Sequence, residues 1–80
     1  MMDLAEKFVA FAEAGNQQRF LLKDGRQLQG WIMEISNTAL LISAGEGEKG
    51  KDVWIDLQDI SLDSLSYWDS KSQQWLVFTL

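Results

Sequence analysis

Apolar residues keep helical spacing only near the start of the chain. Leu4, Phe8 and Phe11 stand at i, i+4 and i+7, which predicts a helix over residues 3–14 with one apolar stripe. Asp3 followed by Glu6 is a capping-box pattern, offering acceptors to the free N–H groups of the first turn. Gly15 then ends the helix as a C′ residue able to take positive φ. With little positive charge on its polar face beyond Lys7, the helix reads as a lid on a β structure rather than a membrane-surface helix.

From Arg19 the spacing is that of strands. "RFLLK" runs into Asp24-Gly25, which predicts a two-residue hairpin turn with positive φ at both positions. Arg26 restarts an extended run in which Leu28 and Ile32 share a face with Gly30 between them. After Ile32 the alternation slips, and Met33 and Ile35 fall on the opposite parity. A straight strand keeps one parity, so this strand bends or bulges, and Gly30 is the expected pivot. "SNT" (36–38) is a turn, "ALLIS" (39–43) a third strand, and "AGEGEKGK" (44–51) a polar, glycine-rich connection. "DVWIDL" predicts a fourth strand, with Val53, Ile55 and Leu57 on one face and Trp54 and Asp56 on the other. "QDI" is a short turn, "SLDSLSYW" a fifth strand with broken parity, "DSKSQQ" a turn, and "WLVFTL" a sixth strand. A helix followed by a meander of short strands predicts a small barrel.

The length, 80 residues, allows one small domain, which is marginally stable alone because it buries a limited share of its surface. The chain contains no cysteine and no histidine, so it offers no disulfide, no thiolate site and no imidazole base. Oligomerisation is the remaining support. The net charge of −5 is carried mostly from Asp52 onward, where five acids face one base. That balance disfavours phosphate binding except through a local patch. No apolar run approaches the ~20 residues of a membrane span and no signal peptide opens the sequence, which predicts a soluble, cytoplasmic protein with no membrane partner.

"LLKDGRQLQGWIMEISNTALLIS", a variable loop and "DVWIDLQDISLDSL" together resemble the Sm, LSm and Hfq family. The similarity is carried by the apolar pair before Asp24-Gly25, by Leu28, Gly30, Ile32 and Ile35, by Leu40 to Ile42, and by Trp54-Ile55 and Ile60. It covers residues 3–67. The resemblance implies a single mainly β Sm-like domain over residues 1–80: the helix at 3–14, a strongly bent five-stranded SH3-like barrel at 18–68, and an extra C-terminal strand at 75–80. It implies a homo-oligomeric ring closed by the fourth strand of one subunit on the fifth of the next, which places Val53, Trp54, Ile55, Leu65, Tyr67 and Trp68 at the interface. It also implies single-stranded RNA as a partner, with Asn37, Thr38 and Gln58 near the pore.

The basic hairpin residues Arg19, Lys23 and Arg26 are a second candidate RNA contact, with a solvated hairpin edge as the plainer reading. Thr38 provides no aromatic platform where the family stacks a base, and Asp56 stands where a cation is expected. These two positions support an alternative, an assembly scaffold that keeps the barrel, binds another protein and has lost RNA. The four tryptophans read as core or interface residues, with base stacking as the alternative. Asp56, Asp59 and Asp63 do not form a carboxylate pair on strands, and a pore ring of Asp56 binding a divalent cation is less expected than a solvated surface. Neither enzyme activity, nor a metal site, nor a cofactor is predicted. Lys49 and Lys51 are read as neutralised by Glu46, Glu48 and Asp52.

Overall fold

The computed structural model describes residues 3–44 and 52–80. The connection at 45–51, with Glu46, Glu48, Lys49 and Lys51, lies outside the described residues. The chain is mainly β. Helix α1 (Leu4–Glu13) precedes β1 (Gln18–Leu21), β2 (Gln27–Ile35), β3 (Ala39–Ser43), β4 (Asp52–Asp56), a 3-10 turn (Leu57–Asp59), β5 (Ser66–Asp69) and β6 (Gln74–Val77). The strands form one antiparallel sheet in the order β4-β3-β2-β1-β5-β6. It is an open six-stranded sheet: among the described residues no pairing joins β4 to β5 or β6.

The helix forms where the stripe predicts it. The Asp3 side chain accepts from the Glu6 N–H at 2.9 Å, so half of the capping box is made. Phe8 and Phe11 are fully buried. Phe11 packs edge-on against Phe20 of β1, with centroids 6.4 Å apart, and against Phe78 beyond β6 at 5.2 Å. The lid thus clamps the first strand and the last segment together. Gly15 turns away at φ 65°, as a C′ residue should. Gln18 is the one buried polar side chain of the described core, 2 % exposed. Its Nε2 donates to the carbonyls of Ala14 (2.6 Å) and Ala12 (3.2 Å), satisfying acceptors that the helix end leaves free.

Strand β2 serves two half-sheets. Its first part pairs with β1, from Gln27↔Leu21 to Gly30↔Gln18. Its second part pairs with β3, from Trp31↔Ser43 to Ile35↔Leu40. Gly30 stands at the handover. A Cβ there would run into the Ser43 carbonyl oxygen and come within 3.0 Å of the Ala44 Cα. The parity slip has a different cause from the one expected. The β2–β3 register shifts between Ile32 and Glu34, so Met33 is the extra residue of a bulge. Gly30 provides the close backbone approach, and Met33 changes the parity.

The first hairpin also departs from expectation. Leu22 N–H donates to the Arg26 carbonyl at 2.8 Å, and Gly25 N–H to the Leu22 carbonyl at 2.9 Å. Gly25 has φ 95°, whereas Asp24 is not among the positive-φ residues. This is a three-residue loop, Lys23 to Gly25, ending in a left-handed glycine, not a two-residue turn. Strand β5 is shorter than predicted. Ser61 to Ser64 make a turn, with the Ser64 N–H donating to the Ser61 carbonyl at 3.1 Å. Beside this detour, Ser64 Oγ accepts from the Leu21 N–H at 2.9 Å, so a side chain replaces the strand partner. Leu62 is thrown out to solvent, 47 % exposed, which explains the broken parity. Before the detour, Leu22 pairs with Ile60 in a single bridge.

Candidate functional site

The β2–β3 turn is fixed by Ser36. Its N–H donates to the Ala39 carbonyl at 2.8 Å, and its Oγ accepts from the Ala39 N–H at 3.1 Å. Asn37 and Thr38 are left exposed at the tip. The Leu57 N–H donates to the Thr38 carbonyl at 2.9 Å, which ties the 3-10 turn to this tip and sets Gln58 beside it. Asn37, Thr38 and Gln58 therefore line one groove of about 460 Å³. Three residues chosen for a shared site come together. The same groove is lined by Asp3, Asp56 and Asp59. Its carboxylates repel phosphate, and among the described residues no cation lines it. Among the described residues no group of three or more Asp, Glu, His or Cys is arranged to hold a metal ion.

The basic hairpin does not assemble as one patch. Lys23 and Arg26 line a neighbouring groove of about 640 Å³, but with Asp24, Asp56 and Asp59. Arg26 Nε donates to Asp24 Oδ2 at 2.9 Å. The Arg26 backbone N–H on Asp24 Oδ1, together with this guanidinium, holds the Asp24 carboxyl below its ordinary 3.8. Arg19 is elsewhere, with its guanidinium 4.2 Å from the Trp75 ring centroid.

The six interface residues divide. Val53 and Trp54 are exposed on β4, at 37 % and 52 %. Ile55 and Leu65 are buried in the core. Ile55 is the one buried position of β4, and Val53, expected on the same face, is exposed; Leu65 follows the Ser61–Ser64 detour back to the core. Tyr67 stacks edge-on against Phe78, and Trp68 against Trp75. Ser66 and Tyr67 pair on one side with Arg19 and Gln18 and on the other with Val77 and Leu76. The β5 edge is thus occupied within the chain.

One surface escaped sequence reasoning. Asn16, Gln17, Gln29, Trp31, Trp68 and Trp75 line a groove of about 420 Å³. Trp31 is 47 % exposed, and Trp68 meets Trp75 edge-to-face with centroids 5.6 Å apart. The available signal was parity. Gln18, Phe20 and Leu22 face inward, so Gln17 and Arg19 face outward. The distance between Trp31 and Trp75 along the chain hides the cluster, because only the strand order β2-β1-β5-β6 brings them together.

Comparisons with family models, with curated proteins and with solved structures give no match to this chain.

Proposed function

We propose that this chain is an Sm-like, non-enzymatic subunit of a homo-oligomeric ring that binds single-stranded RNA in the cytoplasm. The observation that carries the reading is β2. Gly30 stands where β2 passes from β1 to β3, within a strand order β4-β3-β2-β1-β5-β6 behind an N-terminal helix. A shared second strand of this kind supports the Sm-like reading, although the sheet itself is open. Because β5 is already paired on both edges, the subunit contact runs from the free edge of β4 to the free edge of β6. Exposed Val53 and Trp54 on one strand and Val77 on the other, 79 % exposed, supply apolar area for it. Pairing two different edges is head-to-tail and closes into a ring when the rotation allows.

Light scattering tests the assembly: an oligomer is expected, and a clean monomer at micromolar concentration overturns it. Labelled oligo-U and oligo-A at low and high salt test the RNA. An absence of binding at low salt, where phosphate attraction is greatest, removes that part. The second reading, an assembly scaffold that binds a protein and no RNA, is favoured by Asp3, Asp56 and Asp59 beside Asn37 and Gln58. It requires that a partner captured from cell extract survive nuclease treatment.

A further inference from the structure

The outer face of the β2-β1-β5-β6 half-sheet carries an aromatic row. Trp68 pairs with Trp75 across β5 and β6, and the Trp68 N–H donates to the Gln17 carbonyl at 2.9 Å. One residue beyond the Gln18↔Gly30 pair, Gln17 reaches the position of Trp31. The row thus crosses four strands as Trp31, Gln17, Trp68 and Trp75. The next row holds Gln29 opposite Arg19, and Arg19 opposite Ser66.

Three features of this face bear on its ligand. First, indoles displayed on a sheet surface are platforms for planar rings, and half of Trp31 is open to solvent. Second, carboxamides surround the rings. Asn16, Gln17 and Gln29 each offer a donor and an acceptor, suited to the edge of a base. Third, charge is segregated. The grooves beside Asn37 and beside Lys23 are lined by carboxylates, whereas among the described residues no carboxylate lines the tryptophan groove. Arg19 lies against Trp75. In a molecule of net charge −5, the described lining of this aromatic face carries no acid.

We propose that this face binds the unpaired bases of single-stranded nucleic acid by stacking on Trp31, with the Trp68–Trp75 pair as the opposite wall. Gln17 and Gln29 hydrogen-bond base edges, and Arg19 meets one phosphate. The inference deepens the RNA reading above and rests on it, but moves the contact away from the acidic groove at Asn37.

The test is fluorescence anisotropy of labelled oligo-U, oligo-dT and oligo-A with the full-length protein and its variants. Trp31→Ala is expected to weaken binding about tenfold or more. Trp31→Phe, which keeps an aromatic face, retains most of it and controls for folding. If Asn37→Ala with Gln58→Ala abolishes binding while Trp31→Ala leaves it intact, the contact lies in the acidic groove and the proposal is overturned. The salt dependence is shallow, close to the slope of about one phosphate. Oligo-U and oligo-dT bind comparably, because stacking reads the base and not the sugar. If wild type binds but Trp31→Ala does not weaken it, the site is wrong and the RNA reading stands. If wild type binds no oligonucleotide at low salt, the RNA reading itself falls and this inference with it. A proline-rich peptide that binds the face while oligonucleotides do not also overturns the proposal.

Discussion

Single residues decide where this sheet can bend. At Gly30 the constraint is space, since the Ser43 carbonyl occupies the place of a Cβ. Gly30→Ala must push β3 away from β2, and urea unfolding should show a loss of about 1–3 kcal/mol. Gly25 differs, because nothing lies near its absent Cβ and its φ of 95° is the whole requirement. Two exposed carboxyls sit below their ordinary value. Asp24 is held there by the Arg26 backbone N–H and guanidinium, and Asp69 by the Ser72 hydroxyl and backbone N–H. A lowered folded value means the unfolded chain binds the proton more readily. Their stabilisation is therefore complete above about 3.8 and is lost as the pH falls through the lowered values. Asp24→Asn together with Asp69→Asn should flatten the acid limb of a stability–pH curve, and an unchanged limb would refute the assignment. The Arg26–Asp24 pair itself is exposed on both sides and adds little beyond shaping the turn.

At the scale of elements, the helix and the sheet are joined by few groups of large effect. Phe20 lies fully buried under Phe11, and Phe20→Ala should cost about 3–5 kcal/mol by thermal or urea unfolding. Gln18 latches the helix end to β1. Gln18→Ala strips the partners from the Ala12 and Ala14 carbonyls and should cost about 1–3 kcal/mol, with amide exchange rising first in α1. The helix and the third strand were readable because each follows from local periodicity and turn composition, whereas the last strand, expected over 75–80, spans Gln74–Val77. Residues 39–43 match the predicted strand end for end. The fifth strand was not readable over its full predicted length. Apolar Leu62 suggested a strand, but Ser61 Oγ bonds Asp63 Oδ1 at 2.7 Å and Ser64 Oγ reaches back to the Ser61 carbonyl, so local side-chain bonds won.

For the whole molecule, the open edges matter most. β4 and β6 end the sheet, and among the described residues neither has a strand on its outer edge. If the proposed oligomer forms through these edges, a charge placed at the β6 edge, as in Val77→Lys, should dissociate it while circular dichroism stays unchanged. Light scattering at matched concentration measures this, and an intact oligomer would move the interface elsewhere. The candidate sites were partly legible. Asn37, Thr38 and Gln58 do share one groove. The acids that join them come from the helix cap and the 3-10 turn, and no local pattern connects those segments.

By itself, the sequence determined the helix, the strand count, an irregularity in the second strand and the lack of thiol and imidazole chemistry. These are properties of neighbours along the chain, where side-chain period, turn geometry and composition act directly. The tertiary structure decided that Met33 carries the bulge, that β6 occupies the edge of β5, and that Ile55 and Leu65 face the core. It also gathered Trp31, Trp68 and Trp75 on one face and set Asp3, Asp24, Asp56 and Asp59 along other grooves. Strand order sets those relations, and strand order is fixed by non-local pairing between residues that the linear pattern leaves far apart.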